Sequence, residues 1–302
     1  MASSNPAFNN PAFQDQSAVR ARGGQPAGGV GLTPPPATTD AATTAHLEGV
    51  YASPSADAVA TGRMTIEDTV LKTLSLFAIL LVAAVAGWIW TMAPVTAANP
   101  APSMAPWLIG AIGGFILSMV VIFTSRKKVR PALIFAYAAF EGLFVGGISA
   151  YFEFIWPGIV LQATLATLAV VGVTLALFAS GKIRASARAT KIFLIAMVGY
   201  LVFSLLNVLL MAFGVLNSSN GGGFGLLSSV HIAGIPLGLI IGVFVVILAA
   251  YSLVLDFDSI QQGVRNGAPR QFGWLGGFGI LVTVVWLYLE ILRMLAILRG
   301  NN

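Results

Sequence analysis

The chain has no cysteine and only two histidines among 302 residues. Without thiols there are no disulfides, no thiolate nucleophile and no cysteine metal site. His46 lies in the N-terminal segment and His231 in a loop region, so no histidine cluster can hold a catalytic zinc. Charge is scarce as well: 9% of residues are charged and 57% are hydrophobic, where a soluble domain carries about 25% charged residues. No water-soluble core could hide so much apolar surface. The last apolar run contains Arg293 and no lysine, which excludes a retinal Schiff base. Gly221-Gly222-Gly223 is flanked by Asn and Ser without a lysine, which excludes a phosphate loop. No serine, histidine and aspartate form a legible triad. The residues give no basis for an enzyme, and no cofactor is expected.

What is present is a series of apolar runs. They place membrane spans at 70–92, 106–124, 131–152, 158–179, 192–213, 233–255 and 275–298, each close to the roughly 20 residues that cross about 30 Å of hydrocarbon. The expected fold is an all-α membrane protein, a seven-transmembrane-helix bundle over 64–302, preceded by a disordered tail over 1–63. The formal net charge of +5 does not point to nucleic acid, because the basic residues sit in short clusters between spans. Arg63 and Lys72 precede the first span. Arg126, Lys127, Lys128 and Arg130 join the second to the third, Lys182, Arg184, Arg188 and Lys191 the fourth to the fifth, and Arg265 and Arg270 the sixth to the seventh. The alternate loops, around 93–105, 153–157 and 214–232, have no Lys or Arg. Basic loops stay in the cytoplasm, so the N-terminus is expected there and the C-terminus on the opposite side of the cell inner membrane. Arg293 and Arg299 are the two positive charges that fall towards the outer side.

The tail is rich in Ala, Gly, Pro, Ser and Thr, and repeats Asn5-Pro6-Ala7-Phe8-Asn9 as Asn10-Pro11-Ala12-Phe13-Gln14. That composition cannot bury a core. Thr65, followed by Glu67 and Asp68, reads as the capped start of the first helix. Gly142 with Gly146, and Gly238 with Gly242, are small-xxx-small pairs that let helices approach closely.

The ionisable residues within spans carry the functional argument, because such groups are costly in hydrocarbon and normally face a partner or a water-filled cavity. They are Glu141, Glu290, Arg293, and Asp256 and Asp258 at the end of span six. Glu290 and Arg293 are three apart and share a helix face, so a local ion pair is one reading. Asp256 and Asp258 are two apart, about 200° around a helix. One therefore faces inward while the other turns towards the loop. Two carboxylates meeting across helices would share a proton, and unneutralised carboxylate oxygens suit a hard cation such as calcium.

The core from Met64 to Arg299 resembles the bacterial branch of the Bax inhibitor-1 family, the transmembrane Bax inhibitor motif proteins. The residues carrying the resemblance are Met64-Thr65-Ile66-Glu67-Asp68-Thr69, Phe140-Glu141-Gly142-Leu143, Tyr251 to Asp258, and Leu287-Tyr288-Leu289-Glu290. The resemblance implies a bundle with its last helix near the centre and a pH-sensitive calcium leak governed by carboxylates of the last two helices. On this sequence those are Asp256, or Asp258, with Glu290, which would also be the calcium ligands, while Glu141 lines or latches the pathway. The family pattern has aspartate where this chain has Glu290. If the last helix began at Phe272, Glu290 would lie about 27 Å up its axis, too far from an aspartate at the end of span six. Contact needs a later start, between Gly276 and Gly279.

The expected function is a passive cation channel or exchanger, most simply for calcium, controlled by protons, with lipid, calcium and protons as partners. The alternative is a non-conducting regulator that binds another membrane protein, such as a membrane protease.

Overall fold

A computed structural model describes residues 62–97, 101–215 and 223–300. The expected tail, apart from Gly62 and Arg63, lies outside the described residues, and so does its Asn-Pro-Ala-Phe repeat. Seven helices are long and apolar enough to cross a membrane: α1 (Ile66–Met92), α2 (Ala105–Ser125), α3 (Pro131–Ile155), α4 (Ile159–Ala179), α5 (Ala187–Ala212), α6 (Leu237–Arg265) and α7 (Phe272–Gly300). All seven expected spans are present. A short helix, Leu226–Ser229, and a two-stranded hairpin, His231–Ile232 with Ile235–Pro236, occupy the loop before α6.

Sequence explains the helix ends. Thr65 caps α1 by accepting from the Asp68 N–H at 3.1 Å, with Glu67 and Asp68 at the positive end of the dipole. Glu153 caps α4 from outside, its carboxylate accepting the N–H groups of Gly158 at 2.5 Å and Val160 at 3.0 Å. The end of α6 is a Schellman motif: Gly267 takes φ +65°, its N–H bonds the Val264 carbonyl at 3.0 Å, and the Ala268 N–H bonds the Gly263 carbonyl at 3.0 Å. The chain then runs antiparallel to the lead-in of α1, with the Met64 N–H on the Ala268 carbonyl at 2.7 Å and the Arg270 N–H on the Gly62 carbonyl at 2.8 Å.

Two boundaries differ from expectation, and both move the site. Helix α6 does not stop at 255; it runs to Arg265, because nothing before Asn266-Gly267 breaks it. Asp256 therefore lies nine residues inside the helix, about 14 Å from its end. Helix α7 starts at Phe272, not between Gly276 and Gly279. The Gly-rich stretch stays helical because its glycines are contact surfaces. An added Cβ would lie 3.1 Å from the Thr69 hydroxyl at Gly273 and 3.0 Å from the Thr73 hydroxyl at Gly277. The missing side chains bring α7 against α1 rather than loosening the backbone.

Helix α7 is the axis of the bundle, packed on α1, α3, α4 and α6. Its first half, with Leu275, Phe278 and Leu281, joins one apolar cluster with α1 and α3; its second half, with Leu287, Leu292 and Ala296, joins another with α4 and α6. Helices α1 and α3 meet most closely, since a Cβ on Gly146 would fall 2.0 Å from the Ala84 carbonyl oxygen and one on Gly142 2.3 Å from that of Leu80. Helix α5 is the opposite case. Among its described residues only Thr190, Phe193 and Asn207 are buried, and it holds to the bundle through a small apolar cluster of Phe193 with Leu248 and Leu255 of α6 and through polar contacts.

Candidate functional site

Asp256 lies at the centre of the bundle with none of its surface exposed. Its carboxylate accepts a hydrogen bond from the Thr283 hydroxyl of α7 at 2.6 Å. Asp258, on the other side of α6, is half-buried; it accepts from the Gln262 amide at 2.7 Å and feels the charges of Arg265 and Arg184.

Glu290 is seven residues beyond Thr283 on α7, so it occupies the same face two turns further along, about 10.5 Å up the axis. It is also buried. Its carboxylate pairs with the Arg293 guanidinium at 2.5 Å and accepts from the Tyr200 hydroxyl of α5. Arg293 donates to the same hydroxyl at 3.0 Å and stands over the tyrosine ring, 5.9 Å from its centroid. Tyr200 is thus the hub of a Glu290–Tyr200–Arg293 cluster that spans α5 and α7. Among the described residues the buried Arg293 Nε has no hydrogen-bond partner.

The described contacts therefore seat the two carboxylates at separate levels. Asp256 meets a threonine hydroxyl, whereas Glu290 meets an arginine and a tyrosine. Glu141 stands elsewhere, between α2 and α3: a Cβ on Gly114 would come 2.9 Å from its Oε2, and its carboxylate faces the Tyr137 hydroxyl one turn back. Tyr137 packs edge-on against Phe278 of α7 at 4.8 Å, which connects Glu141 to the central helix through apolar contact. Among the described residues no three His, Asp or Glu side chains converge as a metal cluster.

Both positive charges of the last helix have partners. Arg293 has Glu290, and Arg299 donates to the Pro157 carbonyl at 2.8 Å and to the Gln162 side chain at 3.0 Å. Hydropathy alone does not reveal Thr283, Tyr200 or Tyr137. The one available signal is spacing: Thr283 and Glu290 are seven apart, and Tyr137 and Glu141 four apart, so each pair shares a face.

At the end of the bundle that carries the basic loops, Asp68 gathers two cations. Lys72 pairs with it at 2.5 Å and Arg270 at 2.7 Å. Lys72 is buried, and it also donates to the Arg270 carbonyl at 2.7 Å and lies 5.4 Å from the Trp274 ring centroid. The Asp68 carboxylate in turn holds the exposed Arg270 guanidinium protonated beyond its already high value. The Met64 to Thr69 motif is therefore the lock between the start of α1 and the loop leading into α7.

No curated protein and no solved structure matches the chain. A family model described as Bax inhibitor 1 like matches residues 5–300, which takes in all seven helices and most of the N-terminal segment. This multi-pass membrane protein belongs to the Bax inhibitor 1 like family.

Proposed function

We propose that the protein lets cations, calcium foremost, pass the membrane passively under the control of protons, and that it is not an enzyme. The observation carrying this reading is Asp256: a carboxylate with no exposed surface, at the middle of the bundle, between the two central helices. A buried ionisable group at that depth is a functional marker by its cost. A proton and a cation compete for its oxygens. Glu290 forms a second station about 10.5 Å along the same face of α7, where it pairs with Arg293 and accepts from the Tyr200 hydroxyl. Glu141 contributes at the α2–α3 interface. In this reading the basic loops lie in the cytoplasm, the C-terminus lies across the membrane, and the host membrane is the cell inner membrane.

The test is calcium flux into proteoliposomes holding the purified protein, from pH 5 to 8. Wild type is expected to show flux that depends on pH, Asp256→Asn to lose that dependence, and Glu290→Gln to alter the flux. Absence of flux above empty liposomes, from folded and inserted protein, would overturn the conducting role and favour a regulator that binds another membrane protein.

A further inference from the structure

Where the lead-in of α1 crosses the end of α6, Arg63, Met64, Thr65, Val264, Arg265, Asn266 and Gly267 line a cavity of about 350 Å³. That size falls within the roughly 300–1,000 Å³ of small-ligand sites. Its chemistry is cationic. Arg63 and Arg265 both line it, and no Asp or Glu is among the described lining residues. The neighbouring carboxylates are otherwise engaged or turned away: Asp68 holds Lys72 and Arg270, Asp258 faces Gln262, and Glu67 is exposed on the first turn of α1. Among the described residues the Arg63 guanidinium has no hydrogen-bond or ion-pair partner, and Arg265 donates to the Gln261 side chain at 3.2 Å and feels the charge of Asp258. Two like charges are thus brought to one cavity, and among the described residues neither guanidinium is in an ion pair.

The backbone beneath them is prepared for an anion. The carbonyls at the end of α6, which would repel one, are capped: those of Gln262, Gly263 and Val264 accept from Asn266, Ala268 and Gly267 N–H groups. The start of α1 presents the positive end of a helix dipole and the Thr65 hydroxyl. Gly267 at φ +65° lets the Arg63 side chain lie across the turn, its Nε 3.6 Å from where a Cβ would stand. The cavity sits at the ends of two membrane-spanning helices, on the side that also carries Arg126, Lys127, Lys128 and Arg130. A helix end is the depth of lipid headgroups, and basic pockets between membrane helices take phosphorylated headgroups.

We propose that this cavity binds the phosphate of an anionic membrane lipid, chelated between Arg63 and Arg265. A lipid bound there bridges α1 and α6, the helix that carries Asp256, and ties the entry of the N-terminal segment to the bundle. The inference does not depend on whether the protein conducts ions.

The experiment is native mass spectrometry of the full chain released from detergent and titrated with phosphatidic acid, phosphatidylglycerol or phosphatidylcholine. Inorganic phosphate serves as the free-anion arm. One saturable anionic lipid per chain is expected. Its affinity should fall at least tenfold in the Arg63→Gln/Arg265→Gln double variant and stay unchanged in Lys127→Gln/Lys128→Gln, whose exposed charges lie at the same membrane level. An unchanged thermal midpoint without lipid certifies that the double variant is folded. Equal affinity in the two double variants would overturn the proposal, since the attraction would then be general to the basic face. Inorganic phosphate binding as tightly as the lipid would overturn it in favour of a soluble anion.

Discussion

The ion pair between Glu290 and Arg293 is held inside the bundle. Tyr200 serves both, accepting from Arg293 and donating to Glu290. Removing one member of a buried pair strands the other charge and costs about 3 kcal/mol, whereas replacing both by apolar residues of similar size is often near neutral. Glu290→Gln and Arg293→Gln are each expected to lower the stability of the detergent-solubilised protein by about that amount, and Glu290→Met/Arg293→Met by clearly less. Denaturant titration followed by tryptophan fluorescence measures all three; a double variant as unstable as the sum of the singles would show that the pair acts independently. Asp256, Glu290, Glu141 and Arg293 were legible in the sequence because a charge in an apolar run stands out. Their partners were not, because the hydroxyls of Thr283, Tyr200 and Tyr137 scarcely disturb hydropathy, and a serine or threonine in a helix can satisfy itself on a carbonyl four residues back, as Thr73 and Thr167 do here. Which hydroxyl matters depends on which helices are neighbours, and that is a property of the packed bundle.

Among the elements, glycine separates helices that must touch backbone to backbone from those that face lipid. The pair Gly142 and Gly146 was readable as a contact stripe, and the structure seats both against the carbonyls of α1. Gly238 and Gly242 instead receive side chains of α7, Ile297 and Met294. At Gly172 and Gly199 an added Cβ meets nothing within 4 Å. Gly146→Ala is therefore expected to force α1 and α3 apart and to cost about 1–3 kcal/mol, while Gly172→Ala should be neutral or stabilise by up to about 1 kcal/mol through helix propensity. Thermal unfolding of the two variants side by side checks the contrast. A Gly146→Ala protein as stable as wild type would mean that the α1–α3 approach is looser than the carbonyl contacts imply. Helix α5 obeys a different rule. It is pinned by hydroxyl and amide contacts at three levels, Thr190 to Tyr251, Tyr200 to Glu290 and Arg293, and Asn207 to the backbone of Phe224 and Leu226. Apart from the contact of Phe193 with Leu248 and Leu255, most of its apolar surface faces outward.

For the whole molecule, the number of spans and their approximate limits followed from length and hydropathy, because a bilayer requires each backbone polar group to be satisfied within its own helix. The ends followed less well. The run from Asp256 to Arg265 is polar yet helical, and the glycines of α7 are packing surfaces that resemble a hinge in one dimension. Orientation rests on a separate argument, the alternation of basic and neutral loops, and the absence of cysteine makes it directly testable. A single cysteine can be introduced at Lys127 or Lys182, on the basic side, and at Ser103 or Gly223, on the neutral side. With the basic loops in the cytoplasm, a membrane-impermeant maleimide added to intact cells should label Ser103→Cys and Gly223→Cys at once, but Lys127→Cys and Lys182→Cys only after permeabilisation. The reverse pattern would place the N-terminal segment, and with it the Arg63–Arg265 cavity, on the outer face. Labelling of all four positions in intact cells would mean that the chain inserts in both orientations, and the asymmetry of its charges would then need another explanation than topology.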